Sequence, residues 1–298
     1  MLSLVHHPRY TIDLPAKHPF PMNKFRVLRE QLDSLDGAVE WHTPNPISEH
    51  NLARIHSPAY LNALLAGTLD AAAQRRSGFQ WSPALVERVR LETGGTLLAA
   101  ELALAHGLAL NTAGGTHHAH ADYASGYCLI NDLAVVAAAL LAQQHVRRVL
   151  IVDLDVHQGD GTARVFADEP RVFTFSMHAA RNFPARKATS DLDIELEAGL
   201  DDRAYQQHLQ HWLPKAIQRA QPDLVIYDAG VDVHADDRLG LLALSDDGLR
   251  ARDEYVLQTI RAQGIPVAGV IGGGYDRDTQ ALCRRHGYLF QAAINGAV

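Results

Sequence analysis

Asp153-Leu154-Asp155-Val156-His157 sets two carboxylates and an imidazole at alternate positions. If a strand continued through this segment, alternate side chains would share one face. Carboxylates crowded together out of water are expensive unless a cation offsets their charge. With Gly159-Asp160-Gly161 directly behind it, the segment favours a metal site over a solvated, helix-capping loop. Asp232, after Asp228-Ala229-Gly230, supplies the third ligand that Asp155 and His157 would need. Three protein ligands with an open fourth position describe a hydrolytic zinc site. His117-His118 follows Gly114-Gly115 and offers a general base near neutral pH. Asp153 and Asp160 are available to orient those rings. Gly272-Gly273-Gly274-Tyr275 lacks the spacing of a dinucleotide-binding loop. Its glycines instead let Tyr275 reach inward, where a hydroxyl can donate to a developing oxyanion. His6-His7 reads as a surface pair without a role. Cys128 has no evident base, and no G-x-S-x-G is present, which argues against cysteine and serine nucleophiles.

The elements that position these residues alternate. The first third is mainly helical, with Ser48, Ser57-Pro58 and Ser82-Pro83 as helix starts. A long helix runs from about Ala84 to His106, lightly broken at Gly94-Gly95. Beyond it, strands are expected at Leu108–Thr112, Arg148–Val152, Val172–Ser176, Leu224–Tyr227 and Val267–Ile271, with a weaker one near Ser3–Val5. Helices lie between them at Asp132–Gln143, Thr162–Ala167, Tyr205–Ala220 and Ser245–Gln263. Such alternation implies a parallel sheet covered on both faces. Each polar segment, including Ser176-Met177-His178, follows a strand. Ligands bind at that edge of an open parallel sheet, so segments far apart in sequence converge.

Composition bounds the rest. The chain has 298 residues, 47% apolar and 20% charged, which fits a globular protein with a large core. The net charge of -7 argues against an electrostatic nucleic-acid binder. No apolar run is long enough for a bilayer, and the first residues do not read as a signal peptide. Two cysteines, Cys128 and Cys283, fit a reduced, cytoplasmic protein. No linker or repeat divides the chain, so residues 1–298 read as a single domain.

Taken together, the segments GGTHHAH (114–120), SGYCLIND (125–132), VDLDVHQGDGT (152–162), TFSMH (174–178), DAGVDVHADDRLGLLALS (228–245) and GGGY (272–275) resemble the zinc-dependent histone deacetylase superfamily. HPFPMNKF (18–25) and DRLGLLALS are most similar to its class IV branch and bacterial relatives. The resemblance implies a three-layer arginase/deacetylase-like α/β fold with a central, mostly parallel sheet flanked by helices. It implies zinc on Asp155, His157 and Asp232, with ferrous iron as a substitute. His118 becomes the main general base and acid and His117 its electrostatic partner. Asp153 and Asp160 stand behind His117 and His118 respectively, and Tyr275 polarises the carbonyl. A structural potassium would use Asp153, Asp155, His157, Ser176 and Met177. Tyr127, Phe183, Gly126, Gly273 and Gly274 would bind substrate. That substrate is an acylated lysine in protein or a small acylated amine such as an acetylpolyamine, without nucleic acid or membrane; no oligomeric state is assigned. A shortened loop before Phe183, with Ala179 and Ala180, would leave space for long acyl chains. His234 has no assigned role. A dimanganese ureohydrolase and a non-catalytic acyl-binding relative are the alternatives. The first needs an Asp where Gly159 stands; the second is disfavoured by the presence of His117, His118 and Tyr275.

Overall fold

The computed structural model describes residues 1–35 and 37–296. Its strands are β1 (Leu2–Val5), β2 (Val39–His42), β3 (Leu108–Asn111), β4 (Val149–Asp153), β5 (Val172–Ala179), β6 (Leu192–Leu196), β7 (Leu224–Asp228) and β8 (Val267–Val270). Its α-helices are α1 (Lys24–Leu32), α2 (Glu49–Leu52), α3 (Pro58–Ala66), α4 (Ala71–Ser77), α5 (Pro83–His106), α6 (Asp132–Ala142), α7 (Asp160–Val165), α8 (Asp202–Ala220), α9 (Asp246–Arg261) and α10 (Thr279–Asn295). The strands form one sheet in the order β2-β1-β3-β8-β7-β4-β5-β6, and every pairing is parallel.

The central strands are apolar on both faces because both faces are covered. In β4, Leu150 and Val152 join one core with Leu213, Val256 and Leu289 of α8, α9 and α10. Val149 and Ile151 join the other with Ala99, Leu133 and Leu140 of α5 and α6. This period-two division makes each strand a nearly continuous hydrophobic run and produces three layers. Because all strands are parallel, β3, β8, β7, β4 and β5, which are neighbours, end on the same edge. Five loops therefore meet there.

The helix starts follow from side-chain caps. Ser48, Ser57 and Ser82 accept hydrogen bonds from the amides of Asn51, Tyr60 and Leu85. The expected break at Gly94-Gly95 is corrected: α5 is continuous. Those glycines serve close packing, since a Cβ would collide with the Asn45 carbonyl or the Tyr10 hydroxyl. Strand β5 continues to Ala179, so Ser176, Met177 and His178 lie within the strand rather than after it. Strands β2 and β6, at the sheet edges, are short and half-exposed and lack the apolar run of the centre. None of the described helices is long and apolar enough to cross a membrane.

Candidate active site

Strand β4 stops at Asp153, which corrects the expectation that Asp153, Asp155 and His157 share a face. The Asp155 amide donates to Asp153 Oδ1 at 3.2 Å, and the His157 amide donates to Asp155 Oδ1 at 2.9 Å. Such local bonds compete with strand pairing and turn the chain. Asp153 then faces His117, while Asp155 and His157 face Asp232. Asp155, His157 and Asp232 are all buried, and one ligand atom from each lies within 4.8 Å of the others. His157 Nδ1 is 2.9 Å from Asp155 and 3.1 Å from Asp232. The Gly273 amide donates to Asp155 Oδ2 at 2.8 Å. A Cβ at Gly273 would strike both carboxylates, so this cradle needs glycine. Burial opposes a charge on His157, but its bonds to Asp155 and Asp232 outweigh it and raise its pKa to about 10. Burial, then the Asp155 charge, pushes Asp232 up to about 7. Two carboxylates and an imidazole converging out of water fit a divalent cation with nitrogen and oxygen preferences.

The two histidines sit beside this cluster. His117 Nδ1 is 2.7 Å from Asp153 Oδ2, and His118 Nδ1 is 2.8 Å from Asp160 Oδ1. His120 Nε2 lies 3.1 Å from the other Asp160 oxygen. The two facing Nε2 atoms, of His117 and His118, are 3.2 Å apart. Burial works against a proton on His117, yet Asp153 and Asp155 raise its pKa well above the ordinary value. Burial, then the His117 charge, depresses His118 to about 3. Asp153 and Asp155 thus favour a proton on His117, and burial with the His117 charge disfavours one on His118. Asp228 also approaches His117 and Asp153 within 4.8 Å. Its oxygens have no hydrogen-bond partner among the described residues. Burial, then the Asp153 charge, raises its pKa well above the carboxylate range.

Several residues that hold these groups were not singled out from the sequence. Asp132 accepts from the amides of Gly115 (3.2 Å) and Thr116 (2.7 Å), fixing the turn before His117. Glu92 of α5 accepts from the Gly114 amide at 3.2 Å and pairs with Arg88 at 2.9 and 3.1 Å. Arg252 of α9, wholly buried, donates to Gly230 at 2.5 Å, Ala229 at 3.1 Å and Leu154 at 3.5 Å, and pairs with Asp253 at 2.9 Å. It thus ties the loops that carry Asp155 and Asp232. In sequence these charges look like ordinary helix-face charges: Arg252 in particular lies in a helix, Asp246–Arg261, rich in charged residues.

Tyr275 projects toward the cluster with its ring 6.3 Å from that of His157. Its amide donates to Asp237 at 2.6 Å and its carbonyl accepts from Arg238 at 2.6 Å, so the backbone is clamped on both sides. Tyr127, Gly126 and Phe183 line a mouth of about 530 Å³ that leads to His118, His157 and Tyr275. Behind it is an inner space of about 30 Å³, lined by Gly273, Lys24, Arg88 and Asp155 among others. Lys24 is buried there and donates to the Gly272 carbonyl at 3.0 Å.

Three expectations are corrected. Gly274 faces Val231 and Leu282 rather than the channel, because its backbone turns into the core. Ala179 is buried at the end of β5, and neither it nor Ala180 lines the mouth or the inner space. The His6-His7 pair is only partly at the surface: His6 Nδ1 lies 2.8 Å from Thr112 Oγ1 in a part-buried contact, while His7 accepts from the Arg9 amide at 3.0 Å on the exposed side. His234 points away from the metal cluster, accepting from the Asp236 amide at 3.0 Å and lying 3.3 Å from Asp246. The residues expected around potassium form one neighbourhood, with Asp153 and Ser176 as register partners across β4 and β5 and Met177 next in β5.

The model of the family "Histone deacetylase domain" matches residues 18–290. Histone deacetylase 2 of Arabidopsis thaliana is 33% identical over 92% of this chain and 74% of its own length. An uncharacterised protein of Picosynechococcus is 50% identical over 97% of both chains. A crystal structure of the HDA15 HD domain aligns with a TM-score of 0.80 over 98% of this chain and 90% of the other, at 22% identity.

Proposed function

The chain belongs to the histone deacetylase family, and from that premise we propose that it is a zinc-dependent amidohydrolase that removes acyl groups from lysine side chains. The proposal treats residues 1–298 as one catalytic domain in the cytoplasm. The observation that carries it is the adjacency of two groups: the Asp155–His157–Asp232 donor set and the His117–His118 pair, in which His118 is neutral. Asp155, His157 and Asp232 would hold zinc, or ferrous iron in its place. When bound, the metal supplies a Lewis acid that polarises the amide carbonyl and acidifies water. Potassium would sit by Asp153, Asp155, His157, Ser176 and Met177 and neutralise part of the local acid excess.

The chain's own residues do the remaining work. His118 is uncharged and takes the proton of the attacking water. Asp160, on its other nitrogen, fixes the ring orientation and supports the imidazolium that forms. His117, already charged and held by Asp153, keeps His118 from protonating early. The Tyr275 hydroxyl donates to the oxyanion as charge develops on the substrate oxygen. His118 then hands its proton to the leaving lysine amine. Tyr127 and Phe183 flank the alkyl chain; Phe183 stands edge-on to His118 with ring centroids 4.8 Å apart. Both histidines and Tyr275 face the site, which disfavours the non-catalytic reading. An Asp in place of Gly159 would have no room, since even a Cβ there would strike Asp153, which disfavours the dimanganese ureohydrolase.

The test is turnover of acetyl-lysine peptides by zinc-loaded protein. Hydrolysis lost on chelation and restored by zinc supports the proposal. Loaded protein that hydrolyses neither acyl-lysine peptides nor acetylpolyamines refutes it.

A further inference from the structure

Acids outnumber bases in this chain, 34 to 27, so an average patch of its surface should be acidic. The mouth of the site is the reverse. Its lining contains Arg75 and Arg76 from the end of α4 and no aspartate or glutamate. Arg76 is held in place: its Nε donates to the Ala124 carbonyl at 3.2 Å and its guanidinium lies over the Tyr123 ring at 4.7 Å. On the opposite lip, Lys187 donates to the carbonyls of Asn182 (2.5 Å) and Pro184 (2.8 Å), on either side of Phe183. Beside Tyr127, Arg238 donates to the carbonyls of Tyr275 (2.6 Å) and Pro19 (2.9 Å). Every one of these bonds is to a neutral carbonyl.

None of the four cations forms an ion pair among the described residues, whereas Arg9, Arg171 and Arg250 elsewhere on the surface do. Asp160 and Glu195 act on Lys187 only from a distance. Asp237 is committed to the amides of Tyr275, Leu239 and Gly240. Arg75 and Arg76 on the lining, with Lys187 and Arg238 bound to the carbonyls of rim residues beside it, raise a positive potential at the opening, and like charges lining a cleft steer the opposite charge into it. Phe183 and Leu239, both substantially exposed, add apolar contact on the same rim.

An acylated lysine is itself uncharged, so the charge of a substrate at this mouth is that of its flanking residues. We propose that the mouth selects acyl-lysines flanked by aspartate or glutamate, with Arg75 and Arg76 as the specificity-determining residues, and disfavours basic segments and acetylpolyamines. The proposal rests on the deacylase reading above and narrows it to one substrate class.

The experiment uses zinc-loaded full-length protein and three acetyl-lysine peptides that differ only in flanking residues: Asp/Glu, Ser/Gln or Lys/Arg. An acetylpolyamine is the fourth substrate. At low ionic strength kcat/KM for the acidic peptide should exceed that for the basic one by about 10-fold, chiefly through KM. The gap should close near 1 M salt, where the screening length is about 3 Å. In the Arg75→Glu/Arg76→Glu protein the order should invert. Equal kcat/KM for acidic and basic peptides, or a preference that survives the double reversal, overturns the proposal. Absence of turnover for every substrate overturns the deacylase reading instead. Anisotropy of the same labelled peptides on Tyr275→Phe protein keeps the two apart. Tighter binding of the acidic peptide upholds the charge selection, and equal or weaker binding overturns it, whether or not turnover is seen.

Discussion

The Nε2 atoms of His117 and His118 face each other at 3.2 Å, close enough that two imidazolium rings could not coexist there. Asp153 draws the proton to His117, and burial together with that charge leaves His118 as the free base, with its pKa held near 3. A base with a depressed pKa is available at every pH above it, so the acid limb of kcat/KM should lie below the ordinary histidine value of about 6.5. His117→Gln removes the neighbouring charge, raises the His118 pKa and moves that limb upward in pH. His118→Gln should lower kcat by about 10²–10⁴-fold, the usual worth of a general acid–base group. Both are read from pH–rate profiles; an acid limb that stays put in His117→Gln removes the electrostatic role.

Tyr275→Phe deletes one hydroxyl from a residue whose backbone is fixed by Asp237 and Arg238. Fold and metal content should therefore persist while kcat falls by about 10²–10³-fold, as for other oxyanion donors. Circular dichroism and metal analysis establish the first part, steady-state kinetics the second. Wild-type turnover would remove Tyr275 from the mechanism.

Metal binding should release protons. In the metal-free site His157 has a pKa of about 10 and Asp232 about 7, and both must be deprotonated to act as ligands. Apparent zinc affinity should therefore rise with pH from 6 to 9, by about tenfold per unit where one proton is displaced. Without metal the sign for His157 reverses. Its raised pKa contributes stability that is full below about 6.5 and is lost as pH climbs through about 10. Calorimetry in buffers of different ionisation enthalpy counts the protons. Zinc affinity independent of pH would contradict the assigned ligands.

The centre of the fold was legible in the sequence because buried parallel strands are apolar on both faces. Leu150-Ile151-Val152 and Leu224-Val225-Ile226 announce themselves, and the polar residues after them mark the sheet edge where the site lies. The edge strands were not legible: Val39–His42 and Leu192–Leu196 mix polar and apolar residues because one side meets solvent. The geometry of Asp153, Asp155 and His157 was half legible. Their types pointed to a cation, but side-chain capping of the next amides, which sends Asp153 to His117, is invisible to a period-two reading. Arg252 and Asp132 were hidden because a buried charge and a solvated one have the same letter.

Arg252 carries the next expectation. Its guanidinium is wholly buried and satisfies three carbonyls on two metal-ligand loops while pairing with Asp253. Arg252→Met leaves Asp253 in the core with the Tyr227 hydroxyl as its remaining partner and without its counter-charge, a change that costs about 3–5 kcal/mol when a buried pair loses one partner. Adding Asp253→Leu should recover part of that loss while the loops stay untied. Denaturant unfolding with and without zinc measures both effects. The stabilisation conferred by zinc should be smaller in the double variant than in the wild type; an unchanged increment would reduce Arg252 to a packing residue.

Acyl length follows from the space at the catalytic end. The mouth holds about 530 Å³, but beyond Tyr275 only about 30 Å³ remains. A single water needs about 10–15 Å³ on this measure, so the inner space suits an acetyl methyl and little more. A longer chain gains about 0.8 kcal/mol per methylene only where apolar surface receives it. Here the walls mix Phe20, Phe25 and Cys128 with Lys24, Arg88, Glu92 and Asp155, and forcing atoms into a packed region costs about 1–3 kcal/mol. From this space we expect a short-chain preference, in place of the long-chain one that the class IV resemblance implies. For acetyl-, octanoyl- and myristoyl-lysine peptides of one sequence, kcat/KM should fall in that order. A rise toward myristoyl would mean that Lys24 and Arg88 move apart to open a tail pocket, and the same three peptides on Lys24→Met protein would then locate it.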